Sequence, residues 1–84
     1  MSRLRKILDA VLDGSKDANI RFRDIRRILK AIGFEERIRG DHYIFSREDV
    51  EEIINLQPKG SLAKPYQVKQ IRRLLTKHRL GNEL

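Results

Sequence analysis

Two histidines, His42 and His78, are the side chains of this sequence whose ordinary chemistry suits proton transfer near neutral pH. They are far apart in the chain, and neither belongs to an HxxxH or HxxE pattern, so a histidine-rich metal site has no support. The chain also lacks cysteine, a glycine-rich phosphate loop and a GxSxG motif. We therefore expect no metal, no cofactor and no thiol or serine nucleophile.

The two histidines occupy different kinds of position. His78 falls in the last turn of a predicted helix, where the helix dipole favours a cation and a half-buried ring packs easily, so we interpret it as structural. His42 follows Gly40 and Asp41 at the start of a predicted strand, where a glycine lets a ligand come close to the backbone. Spacing alone does not decide between a catalytic role and an ordinary surface or packing role for His42.

The charge of the chain favours an anionic partner. Nineteen Lys and Arg against twelve Asp and Glu give a net charge of +7, which makes nucleic acid the leading hypothesis. Residues 1–40 carry +5, residues 41–57 carry −4 and residues 58–84 carry +6. Basic stripes are predicted on two helices, at Arg23, Arg26, Arg27 and Lys30 and at Lys69, Arg72 and Arg73. The alternative is a solvated, arginine-rich exterior.

The length of 84 residues predicts a single domain spanning 1–84, with a shallow working surface and no deep cleft. The apolar runs are too short for a membrane span or a secretory signal, and cysteine is absent. We expect a cytoplasmic protein with no membrane partner.

Three helices can be predicted from apolar spacing. The first covers residues 3–13, with Ser2 as a candidate cap and Gly14 after it. The second begins near Phe22 and is closed by Gly33, with Phe34 folding back on it. The third opens at Pro65 and is predicted to end at Gly81. Its apolar face would be formed by Val68, Ile71, Leu74, Leu75 and His78.

Between the second and third helices, the sequence pattern repeats every two residues instead of with helical spacing. Residues 34–39 alternate, with Phe34, Glu36 and Ile38 on one side, which predicts a half-buried strand. Gly40-Asp41 is a turn signal, and residues 42–45 favour a second strand. Residues 46–56 are ambiguous, because Ser46 and Asp49 can form a capping box before a helix. A turn followed by a third strand over 52–56 fits equally well.

These motifs, in their order, resemble the HicA family of small toxin ribonucleases. The resemblance rests on Gly33-Phe34, on Gly40 to Phe45, on the Pro-x-Gly loop at 58–60, and on Lys64-Pro65 opening the last helix. It covers about residues 20–81 as a HicA-like core, and leaves residues 1–14 as an additional N-terminal helix.

The resemblance implies an α+β fold of the double-stranded-RNA-binding-domain type, α-β-β-β-α, with the extra helix in front. The three-stranded antiparallel sheet would carry helices on one face, and residues 52–56 would be its third strand. In the family the catalytic histidine lies in a G-x-H-x-x-F motif, which His42 and Phe45 match. Asp41 departs from the serine common there, and it could hydrogen-bond His42 or repel a phosphate.

The implied function is that of a toxin in a toxin–antitoxin pair, a metal-independent endoribonuclease that cleaves mRNA through His42. Its implied partners are RNA and a cognate HicB-type antitoxin. Candidate RNA-binding residues are Arg37, Arg39, Gly40, Lys59, Lys64 and Tyr66. A non-catalytic RNA-binding module of the same fold is the main alternative. A helix-turn-helix DNA binder fits less well, because the strand segment and the long link between the first two helices argue against it.

Overall fold

The computed structural model describes residues 3–84, so the candidate cap Ser2 lies outside the described residues. Within that range the chain forms three α-helices, a short 3₁₀ turn at Asp17–Asn19 and three strands. They are α1 (Arg3–Asp13), α2 (Phe22–Ala31), β1 (Glu35–Arg39), β2 (His42–Arg47), β3 (Val50–Leu56) and α3 (Pro65–Lys77). The predicted α+β fold is confirmed.

The sheet is antiparallel, in the order β1-β2-β3. Glu36 lies opposite Phe45, and Phe45 lies opposite Ile54. Directly opposed residues share a face of a sheet, and successive residues alternate between faces. Phe45, Ile54 and Leu56 are completely buried, so this face packs on the helices while the opposite face remains open.

One hydrophobic core joins the helices to the sheet. Leu8 and Val11 of α1 are fully buried in it, together with Ile25, Phe45 and Ile71. Each fully buried aliphatic side chain contributes about 1.5–3 kcal/mol from removal of apolar surface from water. Helix α1 is therefore part of the packing of the fold. No helix within residues 3–84 combines the length and apolarity needed to cross a bilayer.

Helix α2 ends as the sequence predicts. Gly33 has a φ of 105°, and its N–H donates to the carbonyl of Lys30, while the N–H of Phe34 donates to the carbonyl of Leu29. This is a Schellman motif, which needs a left-handed residue after the helix. Phe34 is buried, so the chain turns directly from α2 into β1.

The predicted end of α3 at Gly81 is wrong. The helix stops at Lys77, and Arg79 takes the left-handed position with a φ of 55°. The N–H of Leu80 then donates to the carbonyl of Leu75, and Leu80 is buried. Burial of a leucine is worth about 1.5–3 kcal/mol, which offsets the cost of about 1–2 kcal/mol for a non-glycine residue in that conformation.

The ambiguous segment after the hairpin is a strand, as the resemblance implies. It begins at Val50, two residues earlier than predicted, and places Ile54 and Leu56 opposite Phe45 and Tyr43. Burial of alternate residues against β2 outweighs the local helical spacing, because propensity is a weak preference compared with tertiary packing.

Strand β1 is less buried than its alternation predicts. Ile38 is 49% exposed, so the expectation that it forms part of a buried face is wrong. Glu36 is the covered residue of this strand, with a side chain only 9% exposed. A carboxylate can occupy that position because two cations of α2 reach it, as described below.

Candidate active site on the open sheet face

The face of the sheet that points away from the helices carries both polar and apolar side chains. Register defines this open face: Arg39 lies opposite His42, Arg37 opposite Ile44, and Ile44 opposite Asn55. Ile53 of β3 also belongs to it and is 65% exposed. The open face is hence a continuous surface in which a histidine and two arginines have neighbouring positions.

His42 is the first residue of β2 and directly follows the hairpin turn. Gly40 makes that turn with a φ of 59°, a conformation that glycine adopts without strain. The side chain of His42 is 49% exposed, so its ring is accessible from solvent. The hairpin thus presents the imidazole at the edge of the open face.

Three polar side chains surround the imidazole. Nδ1 of His42 lies 3.2 Å from Oδ1 of Asn55. Nε2 lies 3.5 Å from the amide nitrogen of Gln57, which itself donates to Oδ2 of Asp41 over 3.0 Å. Oδ1 of Asp41 is 3.8 Å from Nε2, a distance that suits an ion pair with a protonated ring and is too long for a hydrogen bond.

Both arginines of β1 remain available to a ligand. The side chains of Arg37 and Arg39 are exposed, and within residues 3–84 neither side chain makes a hydrogen bond or an ion pair. They line a shallow depression of about 340 Å³ together with Glu35, Glu36, Ser46 and two isoleucines, and its lining residue Arg39 lies opposite His42 in the sheet. This arrangement offers two unpaired guanidinium groups in a depression of mixed polar and apolar lining.

A cluster on the helix side of the sheet holds the hairpin in place. The rings of Phe22 and Tyr43 meet edge to face at 4.8 Å, and the Arg26 guanidinium stacks over Tyr43, also at 4.8 Å. Arg26 donates two hydrogen bonds to Glu36, of 2.6 and 2.9 Å, and Lys30 adds a third of 3.3 Å. Since Tyr43 follows His42 in β2, this cluster fixes the backbone that presents the imidazole.

The same contacts shift the pKa of Glu36 and change the interpretation of the basic stripe on α2. Hydrogen bonding to Arg26, with a smaller contribution from Lys30, lowers the pKa of Glu36, and Glu36 raises the pKa of Arg26. Half of the predicted stripe is therefore engaged inside the molecule. Arg72, from the stripe on α3, is likewise bound to Asp17 and to the carbonyl of Val11.

The remaining candidate residues lie outside this polar group. Lys59 is in a turn closed by two backbone hydrogen bonds with Leu62, and Lys64 directly precedes α3. Tyr66 is 61% exposed, lies under the ammonium group of Lys64, and lines a separate depression with residues of α3 and Glu52. Within residues 3–84 no hydrogen bond or ion pair joins Lys59, Lys64 or Tyr66 to His42.

His78 is engaged in linking α3 to β3. Its Nε2 is 2.8 Å from Oε1 of Glu52, and Lys77 donates to the other oxygen over 2.9 Å. Hydrogen bonds from Lys77 and then from His78 lower the pKa of Glu52 to about 2. This contact fits the structural interpretation of His78.

Asn55 and Gln57 are the site residues that the sequence did not indicate. They follow the buried Ile54 and Leu56 in alternation, which would place them outward once β3 was accepted as a strand. Across the described residues, no group of three or more His, Cys, Asp or Glu side chains is arranged to hold a metal ion.

Comparison with known proteins gives one match. A family described as HicA toxin of bacterial toxin-antitoxin matches residues 22–77. The matched range begins with the first residue of α2 and ends with the last residue of α3, so it contains the sheet and leaves α1 outside. No curated protein and no solved structure matches.

Proposed function

This chain belongs to the HicA family of toxins from bacterial toxin–antitoxin systems, and we propose that it is an endoribonuclease that cleaves mRNA without a metal ion. The observation that carries the proposal is the position of His42. A half-exposed imidazole lies on an open sheet face directly opposite the unpaired Arg39. A general base beside a free cation is the minimum that cleavage of an RNA phosphodiester requires.

His42 takes the proton from the ribose 2′-hydroxyl in the proposed reaction. The 2′ oxygen then attacks the adjacent phosphorus, and the bond from phosphorus to the 5′ oxygen breaks. The products are a 2′,3′-cyclic phosphate and a 5′-hydroxyl, whose proton comes from the protonated imidazole or from water. Histidine is the side chain whose chemistry allows it both to accept and to return a proton near neutral pH.

Arg39 and Arg37 supply the positive charge in this proposal. Guanidinium groups bind phosphate oxygens through two donors at once, and they stabilise the charge that develops on a phosphorane. Gly40 carries no side chain at the turn, and the space beyond its Cα is open, so a phosphate can approach the backbone there. We assign Lys59, Lys64 and Tyr66 to more distant contacts with the same strand of RNA, the tyrosine by stacking on a base.

The reaction can be tested with purified protein, single-stranded RNA and a chelator. We expect cleavage to continue in the chelator and to leave cyclic phosphate ends. A matched strand with one 2′-deoxy nucleotide should resist cleavage at that nucleotide alone, because its attacking group is missing. Equal cleavage of the deoxy position would refute the cyclisation, and intact RNA bound by the protein would favour the non-catalytic RNA-binding module.

Membership of a toxin–antitoxin family also implies a cognate antitoxin. We propose that a HicB-type antitoxin covers the open face with an acidic surface and competes with RNA. Arg37, Arg39 and the basic loop from Lys59 to Lys64 provide the complementary charge. An interface of ordinary size buries about 1,200–2,000 Å² in total, which is sufficient to cover His42 and both arginines.

Chemical modification can test this occlusion. The protein encoded beside this one should block RNA cleavage at one-to-one stoichiometry and should protect His42 from diethyl pyrocarbonate. His78, which is 21% exposed and bound to Glu52, serves as the reference histidine in the same sample. A partner that binds tightly but leaves His42 reactive and RNA cleaved would show that it acts elsewhere, for example at α1.

A further inference from the structure

The hydrogen bond between His42 and Asn55 determines which nitrogen of the imidazole carries the proton. Oδ1 of Asn55, a carbonyl oxygen that can only accept, lies 3.2 Å from Nδ1 of His42. A neutral imidazole has a single N–H, and the partner of one nitrogen thereby fixes the state of the other. With the proton on Nδ1, Nε2 keeps its lone pair and can accept a proton.

We propose that Asn55 is a positioning residue, which holds His42 in the Nδ1–H tautomer so that Nε2 is the basic atom. The catalytic role of Asn55 rests on the proposed function, whereas the tautomer of His42 is a property of the free protein. His42 is 49% exposed, so the packing of the fold leaves half of its side chain unconfined. The bond from β3 is the contact that orients the ring within β2.

The surroundings of Nε2 agree with this assignment. The amide nitrogen of Gln57, a donor, is 3.5 Å from Nε2, as expected next to an unprotonated nitrogen. Gln57 also donates to Oδ2 of Asp41 over 3.0 Å, which holds the other carboxylate oxygen 3.8 Å from Nε2. When Nε2 takes a proton, the new positive charge faces this carboxylate, while Arg39 lies opposite on β1.

Asp41 therefore has a defined place in the proposal. The residue that departs from the family's common serine is turned toward Gln57 and lies within ion-pair distance of the imidazole. Its carboxylate faces the positive charge that the ring carries once the 2′-hydroxyl has given up its proton. Gln57 restrains the carboxylate so that it does not replace the substrate at Nε2.

The tautomer can be measured by long-range proton–nitrogen NMR of ¹⁵N-histidine-labelled protein, at a pH about two units above the ordinary histidine pKa of ~6.5. We expect a protonated Nδ1 and a bare Nε2 for His42. In Asn55→Ala the pattern should shift toward Nε2–H, the form that free histidine prefers. In Asn55→Asp it should stay as in the wild type, since a carboxylate also only accepts.

The controls are internal and matched. The signals of His78 should be the same in every variant, which also reports that the fold is intact. Asn82→Ala removes the same kind of amide from an exposed residue outside the site and should leave the signals of His42 unchanged. A bare Nδ1 in the wild type would overturn the assignment, and so would an Asn55→Ala protein whose His42 keeps the wild-type tautomer.

Cleavage kinetics give the second measurement. Asn55→Ala should lower the rate of RNA cleavage by about 10-fold to 100-fold with unchanged RNA affinity. This is a smaller loss than most of the ~10²–10⁴-fold range for general acid–base catalysis, because the imidazole itself is still present. Asn82→Ala should cleave at the wild-type rate. Unchanged cleavage by Asn55→Ala would overturn the positioning role, whereas a wild-type protein that shows the Nδ1–H tautomer but cuts no RNA would refute only the proposed function.

Discussion

In the proposed reaction, one residue of the open face transfers the proton and two others supply positive charge. His42 is placed by its neighbours Asn55 and Gln57, while the side chains of Arg37 and Arg39 make no hydrogen bond or ion pair within residues 3–84. An exposed arginine side chain of this kind makes no hydrogen bond or ion pair that its replacement would remove. Its charge can therefore be removed with little effect on the stability of the fold.

We predict that Arg39→Gln weakens RNA binding and reduces its dependence on salt. Each phosphate contact on a single strand contributes about −0.7 to the slope of log affinity against log salt, so the slope should become shallower by about 0.7. A salt titration of RNA affinity measures this. Lys6→Gln, on the exposed side of α1, removes the same charge and should leave the slope as it is. An unchanged slope for Arg39→Gln would show that this arginine is only solvated.

At the scale of elements, the hairpin depends on its attachment to α2. Arg26 connects the two by stacking on Tyr43 and by two hydrogen bonds to Glu36. The lowered pKa of Glu36 means that its carboxylate stabilises the fold above the unfolded-state pKa of about 4.3, and that this contribution is lost as the pH falls through the folded-state pKa.

We predict that Glu36→Gln lowers the free energy of unfolding by about 1 kcal/mol at neutral pH. Hydrogen bonds to charged groups are worth about 1.5–3 kcal/mol, and the value is reduced here because Arg26 is a third exposed. The difference from wild type should shrink below about pH 4. Urea denaturation at several pH values is the measurement. The control is Glu35→Gln, a change of the outward neighbour in β1, which should leave the free energy of unfolding almost unchanged at any pH. If Glu36→Gln remained less stable than the wild type in acid, the ion pair would not be the source of the difference.

The sequence predicts the helices and the hairpin more completely than it predicts the residues of the candidate site. The spacing of apolar residues and the identity of the turn residues predict the helices and the hairpin. The two-residue alternation also places Arg37 and Arg39 on one face of β1. The third strand required the family resemblance, because its spacing is also helical. Asn55 and Gln57 could not be assigned to His42 in advance, since the register of β3 shifts between Phe45 and Arg47. The end of α3 depends on burial of Leu80, which is a tertiary contact.

For the whole molecule, α1 is part of the hydrophobic core although it lies outside the matched range of the family. Its residues Leu8 and Val11 close the core against α2 and α3. We predict that Leu8→Ala destabilises the protein by about 2–5 kcal/mol, the cost of a cavity at a fully buried leucine. Thermal unfolding measures it, with Lys6→Ala as the exposed control in the same helix. A loss below ~0.5 kcal/mol, the level of ordinary surface changes, would mean that α1 is not part of the cooperative core.

The charge of the whole chain and the open face together suit a polyanion, and both RNA and an acidic antitoxin would use the same arginines. What separates a ribonuclease from a module that only binds RNA is the chemistry of one imidazole. The two histidines can be compared directly, because they lie in different places. His42 is exposed on the open face, and His78 is bound to Glu52 on another part of the molecule.

The most direct measurement is the rate of RNA cleavage in a chelator by wild-type protein, His42→Ala and His78→Ala, purified in parallel. We predict that His42→Ala loses at least ~100-fold in rate while its RNA affinity stays close to that of the wild type, and that His78→Ala still cleaves. Cleavage by His42→Ala at the wild-type rate, in preparations shown to be free of other nucleases, would contradict the assignment of His42 as the catalytic residue.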